Sequence, residues 1–291
     1  MKAIHASILI LAASYIGSAH AGLLTLEYTN ALDNQLADTS SNFHPQGLGY
    51  DTGSNELLYM QQSSSTIYRT DLNGSITGSR AVGKHHTTSV AGDGTNYYFS
   101  DYTGNSSLAD LYSVNKISGS STVISTEVAA YGGYPIDVRD GLLYRTENTN
   151  SYSWASLNDI RISDLNAVDD IIQTVSLATS FGIGDIAVDS YRNEVWVIDY
   201  SSTAFLRQFD LDTGNELASF NLGLDGLSSG LTYANDTLYY YDWNNGGGST
   251  LSAYSMSGFE GGSVSVPEPA SFVLLGLGLA GIGFSRKKKA A

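Results

Sequence analysis

Between residues 22 and 265 apolar and polar positions alternate in short runs of period two, and no sustained 3.6-residue period appears. Alternation of this kind predicts half-buried β-strands and no long helix. In EVWVIDY (194–200), Val195, Val197 and Asp199 fall on one face and Trp196 and Ile198 on the other, because successive side chains of a strand point to opposite faces. Both faces are largely apolar, so this strand is expected inside a stack, with a sheet packed on each side. TIYRTDL (66–72) alternates more cleanly and is expected nearer a solvent-facing rim. Turns follow the third strand of several segments: DLNG (71–74), NKISG (115–119) and DLDTG (210–214). Asp can cap such a turn through backbone hydrogen bonds, and the closing Gly takes the positive-φ position.

The runs recur as a unit. GLGYDTGSNELLYMQQSSSTIYRTDLNGSITGS (47–79) aligns with DIAVDSYRNEVWVIDYSSTAFLRQFDLDTGNELASF (185–220), each reading strand, turn, strand, turn, strand, turn, strand. Weaker copies lie at 89–125, 136–177 and 230–258, the last without a clear fourth strand. Anchoring each copy at the end of its first strand gives Asp51, Asp93, Asp140, Asp189 and Ala234, a period of about 46 residues. Four strands in forty-odd residues is the size of a β-propeller blade, a twisted sheet that buries both faces only by stacking on its neighbours. LLTLEYT (23–29) has strand character and can supply the missing fourth strand, closing the ring end to end. The predicted fold is therefore all-β, a propeller of about five four-stranded blades, with six as the alternative if 22–45 contributes more. The strand–turn pattern resembles the YVTN/NHL-like and lactonase-like propellers, a resemblance that implies architecture and no particular activity.

Both ends of the chain differ from this body. At the start, Lys2 precedes an apolar stretch centred on residues 8–13, and Ala19-His20-Ala21 offers the small-x-small pattern that signal peptidase accepts. Residues 1–21 are thus expected to be a secretory signal peptide cut after Ala21. At the other end, Val266-Pro267-Glu268-Pro269 can neither be helical nor pair as a central strand, because proline lacks an N–H and fixes φ. The uncharged run 270–284 follows; as a helix it would reach roughly 22 Å, short of the ~30 Å hydrocarbon core. Arg286, Lys287, Lys288 and Lys289 extend that reach by snorkelling and bias the C-terminus to the cytoplasm. This tripartite tail resembles the PEP-CTERM sorting signal of exported proteins from Gram-negative bacteria. The resemblance implies recognition by exosortase, cleavage near Pro-Glu-Pro, and delivery to the surface or outside, often in bacteria that make exopolysaccharide and biofilm. Three regions are expected: signal peptide 1–21, propeller 22–265 and sorting signal 266–291. The last would hold a membrane-anchored intermediate in the inner membrane through a single hydrophobic helix, 270–284.

Charge narrows the partners. A net charge of −15 disfavours nucleic acid, whose phosphates would be repelled. Without cysteine there is no disulfide, thiolate catalysis or Cys-ligated metal. Removing both ends takes away five basic residues and one acidic residue, so the mature body is more acidic still and stays hydrated among polysaccharide.

Candidate chemistry is sparse. GLGLAG, with Gly276, Gly278 and Gly281, matches a dinucleotide fingerprint in form only, since no strand precedes it and no acidic residue follows; no cofactor is expected. Of the histidines in the body, His44, His85 and His86, the adjacent pair points apart in an extended chain and reads as solvated loop. Asp210, Asp212 and Asn215 could be oxygen ligands for calcium, but the helices and distant glutamate of an EF-hand are missing, so the segment reads as a turn. Asp137 and Asp185 precede or begin inner strands and are weak metal candidates at a channel mouth. Gluconolactonase-like propellers hold a divalent cation there with Glu, Asn and Asp, yet no glutamate begins the first copy's inner strand, which offers His44 and Gln46. No serine nucleophile elbow, zinc motif or glycosidase frame appears, and no catalytic residue is assigned. Tyr241 and Trp243 beside a Gly/Asn loop, and Tyr152 and Trp154 in NTNSYSWAS, are candidate sugar contacts, the competing reading being that they plug gaps between blades. The sequence thus points to an exported, surface-sorted propeller acting as a binding or matrix protein, with extracellular polysaccharide as the expected ligand. The alternatives are a metal-dependent hydrolase or lactonase and an adhesive component without a discrete ligand.

Overall fold

A computed structural model of the chain describes residues 23–32, 45–61, 65–83, 87–102, 109–126, 135–146, 157–199, 205–221, 229–244 and 248–257. Among them are strands and turns and no helix. Strand β1 (Leu23–Ala31) comes first, followed by four antiparallel meanders in chain order. These are β2 (Pro45–Asp51), β3 (Glu56–Gln61), β4 (Thr66–Thr70) and β5 (Ile76–Ala81); then β6 (Thr87–Gly92), β7 (Asn96–Tyr102), β8 (Ala109–Asn115) and β9 (Ser121–Ser125). Next come β10 (Ile136–Arg139), β11 (Leu142–Thr146), β12 (Leu157–Asp164) and β13 (Ala167–Phe181); then β14 (Ile183–Asp189), β15 (Glu194–Asp199), β16 (Phe205–Asp210) and β17 (Glu216–Asn221). The chain ends in β18 (Ser229–Ala234), β19 (Thr237–Asn244) and β20 (Gly248–Ser257).

The last three strands recruit the first. β1 lies antiparallel on β20 from the Leu23–Ser257 pair to the Ala31–Thr250 pair, with a bulge between Leu26 and Tyr28, and the sheet order is β1-β20-β19-β18. The strand missing from the last sequence copy is therefore supplied by the segment before the first copy. The meanders β2–β5 and β6–β9 join into one eight-stranded sheet at a single parallel bridge, Asp51 to Gly92.

Stacking of the sheets buries both faces, as the double-sided apolar pattern requires. Val195 and Val197 pack with Tyr144, Ile160 and Val175 of the preceding meander, while Trp196 and Ile198 pack with Leu231, Leu238 and Tyr240 of the following sheet. The same division holds elsewhere: Leu58, Met60 and Ile67 meet Val90, Phe99 and Tyr112; Ala91, Tyr98 and Leu111 meet Ile136, Val138 and Leu143. Leu48, Leu57 and Tyr59 meet Tyr239, Tyr241 and Leu251, which seals the first meander against the last sheet. The first strands touch in a closed cycle, β2 to β6, β10, β14, β18 and back to β2. Two glycines permit this approach: a Cβ on Gly49 would lie 1.8 Å from the Val90 carbonyl oxygen, and one on Gly230 would lie 2.5 Å from the Leu48 backbone nitrogen.

The turns use the chemistry read from the sequence. Asp71 Oδ1 accepts the N–H groups of Asn73 and Ser75 (both 2.9 Å), and Gly74 has φ of 90°. Asp210 Oδ1 accepts those of Asp212 (3.1 Å) and Thr213 (2.7 Å), and Gly214 has φ of 71°. At 115–119 the cap is Asn115, whose Oδ1 accepts from Ile117 and Ser118. Signal peptide, Pro-Glu-Pro motif, run 270–284 and basic cluster lie outside the described residues. Among the described residues no helix is long and apolar enough to cross a membrane.

Candidate functional site

At the centre of the ring the first strands turn three charged side chains onto its axis. Asp185, fully buried on β14, accepts N–H groups from Ile186 of its own strand (3.0 Å) and Leu231 of β18 (2.8 Å). The Leu48 N–H of β2 donates to it as well. Ser89 of β6, whose hydroxyl accepts the Ile136 N–H (3.1 Å), lies 3.4 Å from Asp185 Oδ1. Asp137 on β10 accepts N–H groups from Val138 and, across the sheet boundary, Val188, both at 2.7 Å. Arg139, the last residue of β10, pairs with Asp137 at 3.1 Å and donates to the carbonyls of Val188 (3.1 Å), Val138 (3.2 Å) and Tyr233 (2.7 Å). Its guanidinium also lies 5.5 Å from the ring centroid of Tyr50.

Burial pushes both carboxyls above their ordinary range. For Asp137 the Arg139 charge and two backbone N–H groups pull the other way. Asp185 stands well above it, opposed by backbone N–H groups alone and raised further by Asp137. Asp137 and Asp185 thus sit inside the ring and tie strands together through backbone groups, deeper than the channel mouth the sequence suggested. Among the described residues no group of three or more His, Cys, Asp or Glu is arranged to hold a metal ion.

Above Arg139, at the end of the axis where first strands turn into second strands, opens a cavity of about 540 Å³. Its volume falls in the ~300–1,000 Å³ range of ligand pockets. Arg139 and Val188 form the floor, Tyr50 and Tyr233 stand in the walls, and the turns at 189–192 and 235–236 make the rim. The rim is tightly held. Arg192 donates to Asp189 (2.6 Å), Tyr233 Oη (2.6 Å) and Asp236 Oδ1 (3.2 Å), and the Tyr233 hydroxyl donates to Asp236 (2.9 Å). Asp189 Oδ1 also accepts the N–H groups of Tyr191 and Arg192, both at 3.1 Å. Tyr191 remains 85% exposed.

A second repeated position lies at the far ends of the second strands. Asp101, Arg145, Asp199 and Asp242 each pair with the start of a first strand, at Thr87, Ile136, Ile183 and Ser229. Asp199 is fully buried and accepts from Arg207 at 2.8 Å. Its signal was present in the sequence, since FSD, YR, VID and YYD fall at or within two residues of the end of the second strand in four copies.

The aromatic candidates divide. Tyr241 is 1% exposed, donates to Ser249 Oγ at 2.6 Å and stands edge-on to Tyr59 with centroids 5.7 Å apart, so its ring belongs to the seal between the first and last sheets. Trp243 pairs with Ser249 in the β19–β20 ladder, at the strand end remote from the cavity. Tyr152 and Trp154 lie outside the described residues, as do the histidines His44, His85 and His86. Sequence reasoning missed the cavity residues Tyr50, Arg139, Tyr191, Arg192 and Tyr233. The pair Asp137/Arg139 was readable, because residues two apart on a strand share a face.

The PEP-CTERM protein-sorting motif model matches residues 265–287. No curated protein matches the sequence. Among solved structures, the chain is similar to the crystal structure of Myxococcus xanthus glutaminyl cyclase at 11% identity and a TM-score of 0.56, covering 81% of this chain and 97% of that one. It is also similar to a nidogen/laminin complex, at 16% identity and a TM-score of 0.48, covering 68% and 72% of the respective chains. The first likeness, together with the ring of stacked four-stranded sheets, makes the body a β-propeller. It carries no activity across.

Proposed function

We propose that this chain, exported under a PEP-CTERM sorting signal, is a five-bladed propeller that serves as a binding or matrix protein in the cell envelope or extracellular polymer. The observation that carries the reading is the sorting motif at 265–287 on a propeller body. The blade number is supported by the cycle of first strands β2, β6, β10, β14 and β18 and by the β1–β20 seam. In this reading signal peptidase cuts after Ala21 and 270–284 holds the body in the inner membrane as a helix. Exosortase then recognises Val266, Pro267, Glu268 and Pro269, and the released body meets extracellular polysaccharide. Trp243, at the strand end remote from the cavity, and Tyr152 and Trp154, which lie outside the described residues, are proposed as sugar contacts. The axis supports binding over passage, because Asp137, Asp185 and Arg139 close it with side chains already engaged by backbone groups.

Intact mass of the protein recovered from cells with and without exosortase tests the reading. Wild-type cells are expected to yield a species that begins near Gly22 and lacks 286–291, while cells without the enzyme retain the tail. Secreted wild-type protein with its C-terminus intact would refute the processing.

A further inference from the structure

We infer that the axial cavity above Arg139 is a binding site for the uncharged end of a polysaccharide chain. The inference rests on the proposed role in extracellular polymer and specifies its site and ligand class.

Shape comes first. The cavity opens at the mouth and ends on Arg139 and Val188, below which Asp137 and Asp185 occupy the axis. A linear polymer cannot thread such a site; it can enter end-on. Charge comes next. Both guanidiniums are engaged, Arg139 by Asp137 and three carbonyls, Arg192 by Asp189, Asp236 and Tyr233. The exposed carboxylates Asp140 and Asp236 face the same space. An anionic sugar would meet these carboxylates on an acidic body, so the site disfavours it. Hydroxyl groups suit it, since a carboxylate accepts two donors side by side.

Pre-organisation completes the argument. Asp236 is 78% exposed at its side chain, yet its Oδ1 is fixed by Arg192 and the Tyr233 hydroxyl, which aims an acceptor at the opening. Tyr191 shows its ring to solvent from a turn whose backbone Asp189 clamps. An exposed aromatic ring on a fixed backbone, beside held acceptors, offers stacking for the C–H face of a pyranose and hydrogen bonds for its hydroxyls at a reduced ordering cost.

Titration of the full-length protein, purified in detergent, with mannose and glucose oligomers and with galacturonate oligomers tests this. Neutral oligomers are expected to bind saturably and in preference to galacturonate, and to weaken about tenfold in Tyr191→Ala and in Asp236→Asn. Ile117→Ala, exposed and outside the cavity lining, should leave them unchanged. Tyr191 is exposed, so its variant keeps the wild-type melting temperature and reports on the site alone. Preference for galacturonate, or neutral binding indifferent to Tyr191→Ala and Asp236→Asn, overturns the inference. Loss in Trp243→Ala moves the ligand to the opposite end and spares the polymer-binding role. Failure of all oligomers overturns the site; if the protein also fails to fractionate with extracellular polymer, the broader reading falls with it.

Discussion

Asp185 shows how one side chain can serve a whole ring. A buried carboxylate is costly unless satisfied, and here it gathers donors from β14, β18 and β2 with Ser89 of β6 alongside. The sign of its pH effect follows. In the folded body its carboxyl titrates above the ordinary 3.8 that the unfolded chain shows. Between those two values the folded state binds more protons, so this group's contribution to stability rises as pH falls through that interval. Relative to wild type, Asp185→Asn is therefore expected to lose part of the stability gained as pH falls from neutral toward the ordinary carboxylate range. Denaturant titrations across that range check it, and identical pH slopes would contradict the account. The sequence showed these aspartates but could not show their role. Asp185 is defined by donors from residues as distant as Leu231 and Leu48, which no local spacing encodes. Asp137 and Arg139, two apart on one strand, were within reach of a local rule.

Strands and turns were the legible level. Alternation located both faces of β15, and Asp71, Asp210 and the glycines behind them fixed their turns, because each depends on neighbours a few residues away. Less legible was how closely the first strands approach. Gly49 reads as an ordinary turn-rich glycine, yet a methyl group there would collide with the Val90 carbonyl across the β2–β6 boundary. Gly49→Ala should lower stability by about 1–3 kcal/mol, the usual penalty of overpacking, measured by thermal or chemical unfolding. A neutral result would mean the two strands can part without loss. Tyr241 fills a gap between sheets, one of the two readings the sequence offered, but its partner Tyr59 was not legible, because the contact joins residues far apart in the chain.

At the scale of the molecule, stability hangs on one seam. Every other sheet is continuous in sequence, but the last is completed by β1. A chain lacking residues 23–31 would expose the whole length of β20 as an unpaired edge, an invitation to strand exchange between copies. Such a variant is expected to melt earlier and to associate on size-exclusion chromatography, and a synthetic peptide of sequence 23–31 should restore the monomer by strand addition. Monomeric behaviour without the peptide would show the seam to be dispensable. The same seam sets a clock for export. Its two halves stand at opposite ends of the body, and the Leu23–Ser257 pair can form only after the final strand has been delivered. On the proposed export route the ring therefore closes last, once β20 has followed every other strand across.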